Sequence, residues 1–148
     1  MSFAADTGVC LVGPGRFTAE LHERWSSLVG IHGGYTAAIV VNAITAAVDD
    51  PTRTLRSFAT QFVAVPHPGP VDIEVSVERV GRSMTTTSAR LLQEGQVLQV
   101  AHAASSPSRP GISYDDLVRP RDADPGAMPR FGSSGEVVHF QNADVRLD

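Results

Sequence analysis

The chain has 148 residues, of which 42% are hydrophobic and 19% are charged, so it is long enough to bury the core of one domain. A formal net charge of −4 without any basic cluster argues against nucleic acid and against an anionic membrane as partner. The single cysteine excludes an internal disulfide, and the apolar run at residues 9–12 is too short for a signal peptide, so we expect a cytoplasmic protein.

The first strong feature along the chain is an apolar helix behind a glycine doublet. Residues 31–35 read Ile-His-Gly-Gly-Tyr, and the run at residues 36–48 is almost wholly apolar. Pro51 follows closely and cannot continue a helix, so we predict a helix from about residue 33 to about residue 48. Because this helix has no polar face, another element has to cover it, most simply a sheet.

The doublet, Gly33 and Gly34, lies at the predicted helix start, where unpaired backbone N–H groups and the positive end of the helix dipole gather. Glycine has no Cβ atom, so a ligand can approach those N–H groups closely. One interpretation is a site that polarises a carbonyl or holds an oxyanion. The alternative is that the glycines only turn the chain into a core helix.

Beyond the helix the sequence period changes from helical to two. Residues 71–77 alternate valine or isoleucine with acidic or polar residues, as a half-buried strand does. The other predicted strands are residues 16–21, 55–65, 84–93 and 97–105. Short turns join the last strands into an antiparallel meander. We therefore predict an α+β hot-dog fold, in which a sheet of four or five antiparallel strands wraps around one long apolar helix.

The composition divides the chain into three parts. Residues 1–105 are predicted to form the hot-dog domain, and residues 106–135, rich in proline and glycine, are predicted to form a linker. Residues 136–148 become strand-like again, and a strand needs a neighbour with which to pair. We expect this last segment to be the start of a second hot-dog repeat whose remainder is missing.

A set of short motifs carries a resemblance to a known family. The motifs are His32-Gly33-Gly34-Tyr35, Phe62 with Pro66 and Gly69-Pro70, Val80-Gly81-Arg82-Ser83, Arg90 and Gln93. Together they resemble the N-terminal hot-dog repeat of double hot-dog acyl-CoA thioesterases of the thioesterase II type. The resemblance extends from about residue 16 to residue 105, and the combination is more specific than any one motif.

The resemblance implies a function and a set of site residues. Proteins of this family carry two hot-dog repeats and hydrolyse acyl-CoA to free fatty acid and CoA, without metal or organic cofactor. The resemblance therefore implies an acyl-CoA substrate, bound at Gly33, Gly34 and Tyr35. Arg82 and Ser83 are candidates for CoA binding, since arginine binds phosphate in a bidentate manner; the alternative is that they only form a turn.

Candidates for acid–base chemistry are few. The main catalytic residues of the family lie mostly in the C-terminal repeat, and single-repeat relatives place a carboxylate on the helix where this chain has Val41. No Asp or Glu occurs between Glu23 and Asp49. Asn42 is a candidate for orienting a water, and His32 for contacting substrate or capping the helix.

Two hypotheses therefore remain open for the chain. It is either an acyl-CoA thioesterase unit in an incomplete, single-repeat form, or a non-catalytic hot-dog module that binds acyl-CoA or serves for dimerisation. Whether the chain is an enzyme in its own right is open at this point. One repeat leaves a sheet edge uncovered, and such edges invite pairing, so we expect a homodimer.

Overall fold

The computed structural model describes residues 2–112, Tyr114, Asp116 and residues 124–127. One long helix packs on one face of an antiparallel sheet. The elements are α1 (Phe3–Asp6), β1 (Cys10–Gly13), β2 (Arg16–Leu21), β3 (Ser26–Ser27), β4 (Gly30–Ile31), α2 (Gly33–Val48), β5 (Arg53–Phe62), β6 (Gly69–Val80), β7 (Thr85–Gln93) and β8 (Gln96–Pro107). The predicted start of a second repeat, residues 136–148, lies outside the described residues, as does most of the predicted linker.

The main sheet has six strands in the order β1-β2-β6-β7-β8-β5, and β3 pairs with β4 in a separate small hairpin. All neighbours in the main sheet are antiparallel, and β6, β7 and β8 form the expected meander. The chain crosses the sheet after α2, which leaves β5 at one edge and β1 at the other. The α+β hot-dog fold that the sequence predicts is confirmed.

The expected number of strands was too low. The structure adds β1, whose four residues are all exposed or only half-buried, so the strand carries no alternation of buried and exposed positions. β5 also ends at Phe62, earlier than the predicted strand, which extended to residue 65. Both differences arise at the periphery of the sheet, where burial imposes the weakest pattern on the sequence.

Helix α2 spans Gly33–Val48, as the sequence predicts, and ends where Asp49 adopts a left-handed conformation with φ of 47°. Its buried residues are Tyr35, Thr36, Ile39, Val40, Ala43 and Ile44. They pack on inward-facing residues of the central strands, such as Ile73 and Leu91. Truncating a fully buried side chain such as Ile39 to alanine is expected to cost about 2–5 kcal/mol.

The N-terminal turn covers one flank of the helix. Asp6 is buried there, forms an ion pair with Arg24 and accepts a hydrogen bond from Trp25 Nε1 at 2.9 Å. A buried carboxylate is tolerated only when it is paired in this way. Asn42 and Thr45 of α2 are exposed. Within the described residues, no helix has both the length and the apolar character needed to span a membrane.

Candidate functional site

His32 caps the start of α2. Its Nδ1 accepts a hydrogen bond from the Gly34 N–H at 3.1 Å, and its carbonyl oxygen accepts from the N–H groups of Tyr35 and Thr36. Within the described part of the chain, this leaves the Gly33 N–H as the unpartnered donor of the first turn.

Each glycine of the doublet has a close neighbour. A Cβ atom on Gly33 would lie 2.9 Å from Cζ of Phe62, whose ring packs against the helix start. A Cβ atom on Gly34 would lie 3.0 Å from Cε1 of His32 and would therefore press on the capping ring. Packing alone thus favours glycine at both positions. The absence of a side chain beside the Gly33 N–H is a consequence of that packing.

Tyr35 points into the core. Its side chain is 1% exposed and stacks on Trp25 at a centroid distance of 5.3 Å. The hydroxyl lies 2.9 Å from the carbonyl oxygen of Asp6 and 3.0 Å from that of Glu20, and it donates its one proton to them. Burial raises the pKa of this phenol above its ordinary value. Any contact of Tyr35 with a ligand would therefore come from its backbone.

Asn42 lies on the exposed flank of α2, two turns beyond the glycines. Its Nδ2 donates to the carbonyl oxygen of Thr7 at 2.8 Å, which fastens the N-terminal turn to the helix. Eight residues separate it from Gly34, a distance of about 12 Å along the helix axis. The structure therefore does not bring Asn42 together with the helix start.

Arg82 and Ser83 are exposed in the turn between β6 and β7, at the other end of the sheet. The neighbouring Gly81 carbonyl accepts a hydrogen bond from Arg53 Nη2 at 3.0 Å, at the first residue of β5. Gly33 contacts Phe62, the last residue of the same strand. A ten-residue strand spans about 30 Å, so one chain holds the predicted CoA contacts far from the predicted carbonyl site.

Two buried glutamines have roles that the sequence did not reveal. Gln93, one of the motif residues, fixes the loop before β6: its Oε1 accepts from the His67 N–H at 3.1 Å, and its Nε2 donates to the His67 carbonyl at 2.9 Å. Gln99 is 1% exposed and faces the helix side of the sheet opposite Phe62. The signal for Gln99 was an inward polar residue between Leu98 and Val100.

The opposite face of the sheet carries a shallow polar concavity of about 440 Å³. Outward-facing side chains surround it, among them Glu74, Arg90 and His102. The helix packs on the other face of the same strands, so the sheet separates this concavity from the helix start. The two features cannot belong to one site within a single chain.

The fold, with the glycine doublet that His32 caps at the start of α2, identifies the chain as a hot-dog protein. A family model described as the acyl-CoA thioesterase N-terminal domain matches residues 21–106, more than half of the chain. The chain belongs to this family.

Solved structures share the fold. A conserved protein of unknown function with a hot-dog fold from Alicyclobacillus acidocaldarius is 26% identical with a TM-score of 0.82, over 94% of this chain and 52% of that one. An acyl-CoA thioesterase II from Mycobacterium marinum is 20% identical with a TM-score of 0.73, over 87% and 48%. A variant of the phenylacetic acid degradation protein PaaI from Thermus thermophilus is 17% identical with a TM-score of 0.62, over 68% and 92%.

A curated relative from Mycobacterium tuberculosis, described as uncharacterized, is 30% identical over 84 residues, which are 54% of this chain and 29% of the relative. The chain thus spans less than a third of that relative and about half of the first two structures. The PaaI variant is matched over most of its length.

Proposed function

We propose that the chain binds acyl-CoA thioesters at the start of α2 and takes part in their hydrolysis to free acid and CoA. Membership of the acyl-CoA thioesterase N-terminal domain family supports the reaction class. The observation that carries the proposal is the Gly33 N–H, which lies unpartnered among the described residues at the positive end of a 16-residue helix.

The Gly33 N–H would stabilise negative charge during hydrolysis. When water adds to the thioester carbonyl carbon, negative charge develops on the carbonyl oxygen, and the Gly33 N–H would donate a hydrogen bond to that oxygen. The carbon–sulfur bond then breaks and CoA leaves as its thiolate. Loss of one such donor lowers kcat by about 10²–10³ in enzymes that stabilise an oxyanion.

The rest of the site is incomplete within one chain. Helix α2 carries no carboxylate, and Nδ1 of His32 accepts from the Gly34 N–H, so neither the helix nor this nitrogen supplies a general base. Arg82 and Ser83 lie at the other end of the sheet, so their proposed contact with CoA requires a second subunit or repeat. We therefore propose that a second copy of the chain completes the site in a homodimer.

Two replacements of Gly33 distinguish the effect of the N–H group from the effect of a side chain at this position. Proline fits the first position of a helix and replaces the N–H by a ring methylene group, while alanine keeps the N–H and introduces the same Cβ contact with Phe62. We expect kcat for release of free CoA thiol from acyl-CoA to be about 10²–10³ lower in Gly33→Pro than in Gly33→Ala. Equal rates in the two variants would show that the Gly33 N–H does not act in the reaction.

A second candidate function is a non-catalytic hot-dog module that binds acyl-CoA. The helix without a carboxylate favours it, because hydrolysis requires an activated water. Titration calorimetry of the purified chain with acyl-CoA, together with a thiol-release assay, separates the two functions. Binding without turnover would establish the module, and turnover would establish the enzyme.

A further inference from the structure

Arg53, the first residue of β5, carries a charged side chain that is only 11% exposed. Its Nε donates to Oδ2 of Asp50 at 3.0 Å, and its Nη2 donates to the carbonyl oxygen of Gly81 at 3.0 Å. In the sheet order, β7 and β8 separate β5 from β6. Arg53 therefore joins the segment that follows α2 to the turn between β6 and β7, which holds Arg82.

Stability alone does not explain a guanidinium at this place. Removing a charge from water is costly, and replacement of a buried ion pair by apolar side chains is often neutral or stabilising. Nη1 of Arg53 is also buried and has no hydrogen-bond partner in the described part of the chain, which adds to the cost. The contact is better explained by the backbone geometry that it fixes.

The bond from Arg53 determines the orientation of the peptide group between Gly81 and Arg82. A peptide group is planar, so the direction of the Gly81 carbonyl also sets the direction of the Arg82 N–H and the position of its Cα. The Gly81 N–H donates to the carbonyl oxygen of Met84 at 2.9 Å, but that bond fixes the preceding peptide group. Because glycine restricts its own backbone little, the restraint on the second peptide group has to come from elsewhere, and Arg53 supplies it.

Asp50 holds the guanidinium in place. Its Oδ1 accepts from the Thr52 hydroxyl at 2.6 Å and from the Thr52 N–H at 2.9 Å, while Oδ2 accepts from Arg53. The bond from the Thr52 hydroxyl, then that from its N–H and then Arg53 lower the pKa of Asp50 below its ordinary value, so the carboxylate is ionised at neutral pH. The guanidinium is planar, so fixing Nε on Asp50 restricts the direction in which Nη2 meets Gly81.

We infer that Arg53 is a positioning residue for CoA: by holding the Gly81 carbonyl, it directs the exposed side chains of Arg82 and Ser83 toward the phosphate groups. The inference rests on the function proposed above, in which Arg82 and Ser83 contact CoA. Arg53 acts through these residues, because two of its nitrogens are bonded within the protein and the third is buried. Its loss should weaken binding of the nucleotide part of the substrate and leave the thioester chemistry unchanged.

Two substrates separate these effects, since acyl-CoA carries phosphate groups and the same acyl thioester of N-acetylcysteamine carries none. We expect Arg53→Met to raise KM for acyl-CoA about tenfold, as for loss of one charge-assisted hydrogen bond, with kcat unchanged. The kcat/KM for the N-acetylcysteamine thioester should equal that of the wild type. Arg53→Lys keeps the charge but not the planar pair of donors, so KM for acyl-CoA should rise in it too. Wild-type KM for acyl-CoA in both variants would overturn the inference.

Arg56→Met is the matched control. Arg56 lies at the same end of β5, but it is exposed and its Nε donates to Ser106 Oγ at 2.9 Å. Its replacement removes one positive charge without releasing Gly81, so we expect wild-type KM for acyl-CoA. An increase equal to that of Arg53→Met would show a general effect of charge and would contradict a positioning role.

A double variant tests whether Arg53 acts through Arg82. Arg82→Ala should raise KM for acyl-CoA, and adding Arg53→Met should then have little further effect, because the main side chain that it positions is gone. Fully additive effects of the two substitutions would contradict the inference. An increase in Arg82→Ala without any increase in the Arg53 variants would overturn the inference and leave the proposed CoA contact intact.

Titration calorimetry with CoA itself gives a readout independent of turnover. We expect weaker CoA binding in Arg53→Met than in the wild type and in Arg56→Met, and equal affinity in all three would overturn the inference. Wild-type affinity in Arg82→Ala would refute the proposed CoA contact, and the inference with it. A wild-type chain that binds CoA but hydrolyses no acyl-CoA would refute the proposed hydrolysis alone, and the order of the CoA affinities would still decide the role of Arg53.

Discussion

At the scale of single residues, His32 controls the donors of the helix start. Its ring accepts from the Gly34 N–H and its carbonyl oxygen from the next two N–H groups, while the Gly33 N–H has no partner among the described residues. The sequence alone allowed either a substrate contact or a cap for this residue. The geometry shows the cap, while a contact with substrate stays a prediction.

Replacement of His32 tests the cap. We expect His32→Ala to lower the free energy of unfolding by about 0.5–2 kcal/mol, the usual cost of removing a capping side chain. Asparagine is among the best capping residues, so His32→Asn should retain most of the stability. Urea denaturation of the three proteins measures the difference. Equal stability of wild type and His32→Ala would mean that the hydrogen bond between Nδ1 and Gly34 contributes nothing.

At the scale of elements, the contact between Gly33 and Phe62 joins the start of α2 to the end of β5. The ring lies so close that a methyl group on Gly33 would have to displace it. Phe62 is nevertheless 56% exposed, since it belongs to an edge strand. The ring therefore both crowds any side chain at residue 33 and forms one wall of the approach to the helix start.

A double-mutant cycle tests this contact. Gly33→Ala is expected to destabilise the fold by about 1–3 kcal/mol, the typical cost of overpacking. In a Phe62→Ala background the ring is gone, so the same substitution should be close to neutral or stabilising, because alanine favours the helix. Thermal or urea denaturation of the four proteins gives the coupling energy. A coupling energy of zero would contradict the close contact.

At the scale of the whole molecule, one edge of the sheet is not covered by any of the described residues. β5 is a ten-residue edge strand, and Phe62 and Val63 at its end are largely exposed. The exposed flank of α2 adds Asn42 and Thr45 to the uncovered surface. Long unprotected edges pair readily, and the chain covers about half of two structures of the same fold.

These features lead us to expect a homodimer in solution, measurable by light scattering at micromolar concentration. Val63→Lys places a charge beside the β5 edge and should shift the mass to that of a monomer without unfolding the chain. Val80→Lys is the control, because Val80 is similarly exposed but lies at the end of β6, inside the sheet order. A monomeric wild type would refute the homodimer.

Local patterns in the sequence were sufficient for helix α2 and for the central strands of the fold. Both ends of α2 were predicted because glycine at its start and proline after its end act within a few residues. β6 was predicted because alternate burial leaves a period of two. β1 was missed because none of its residues is buried, so no selection for alternation is visible.

The tertiary structure alone decided which of the predicted site residues meet. The path of β5 to the far edge places Phe62 on Gly33 and Gln99 beside Phe62, although these residues are distant in sequence. The same path holds Arg82 at the opposite end of the sheet. Composition and periodicity determine which face of an element is buried, because they reflect the local repeat of helix and strand. Long-range strand pairing determines which side chains share a site, and no local pattern encodes it.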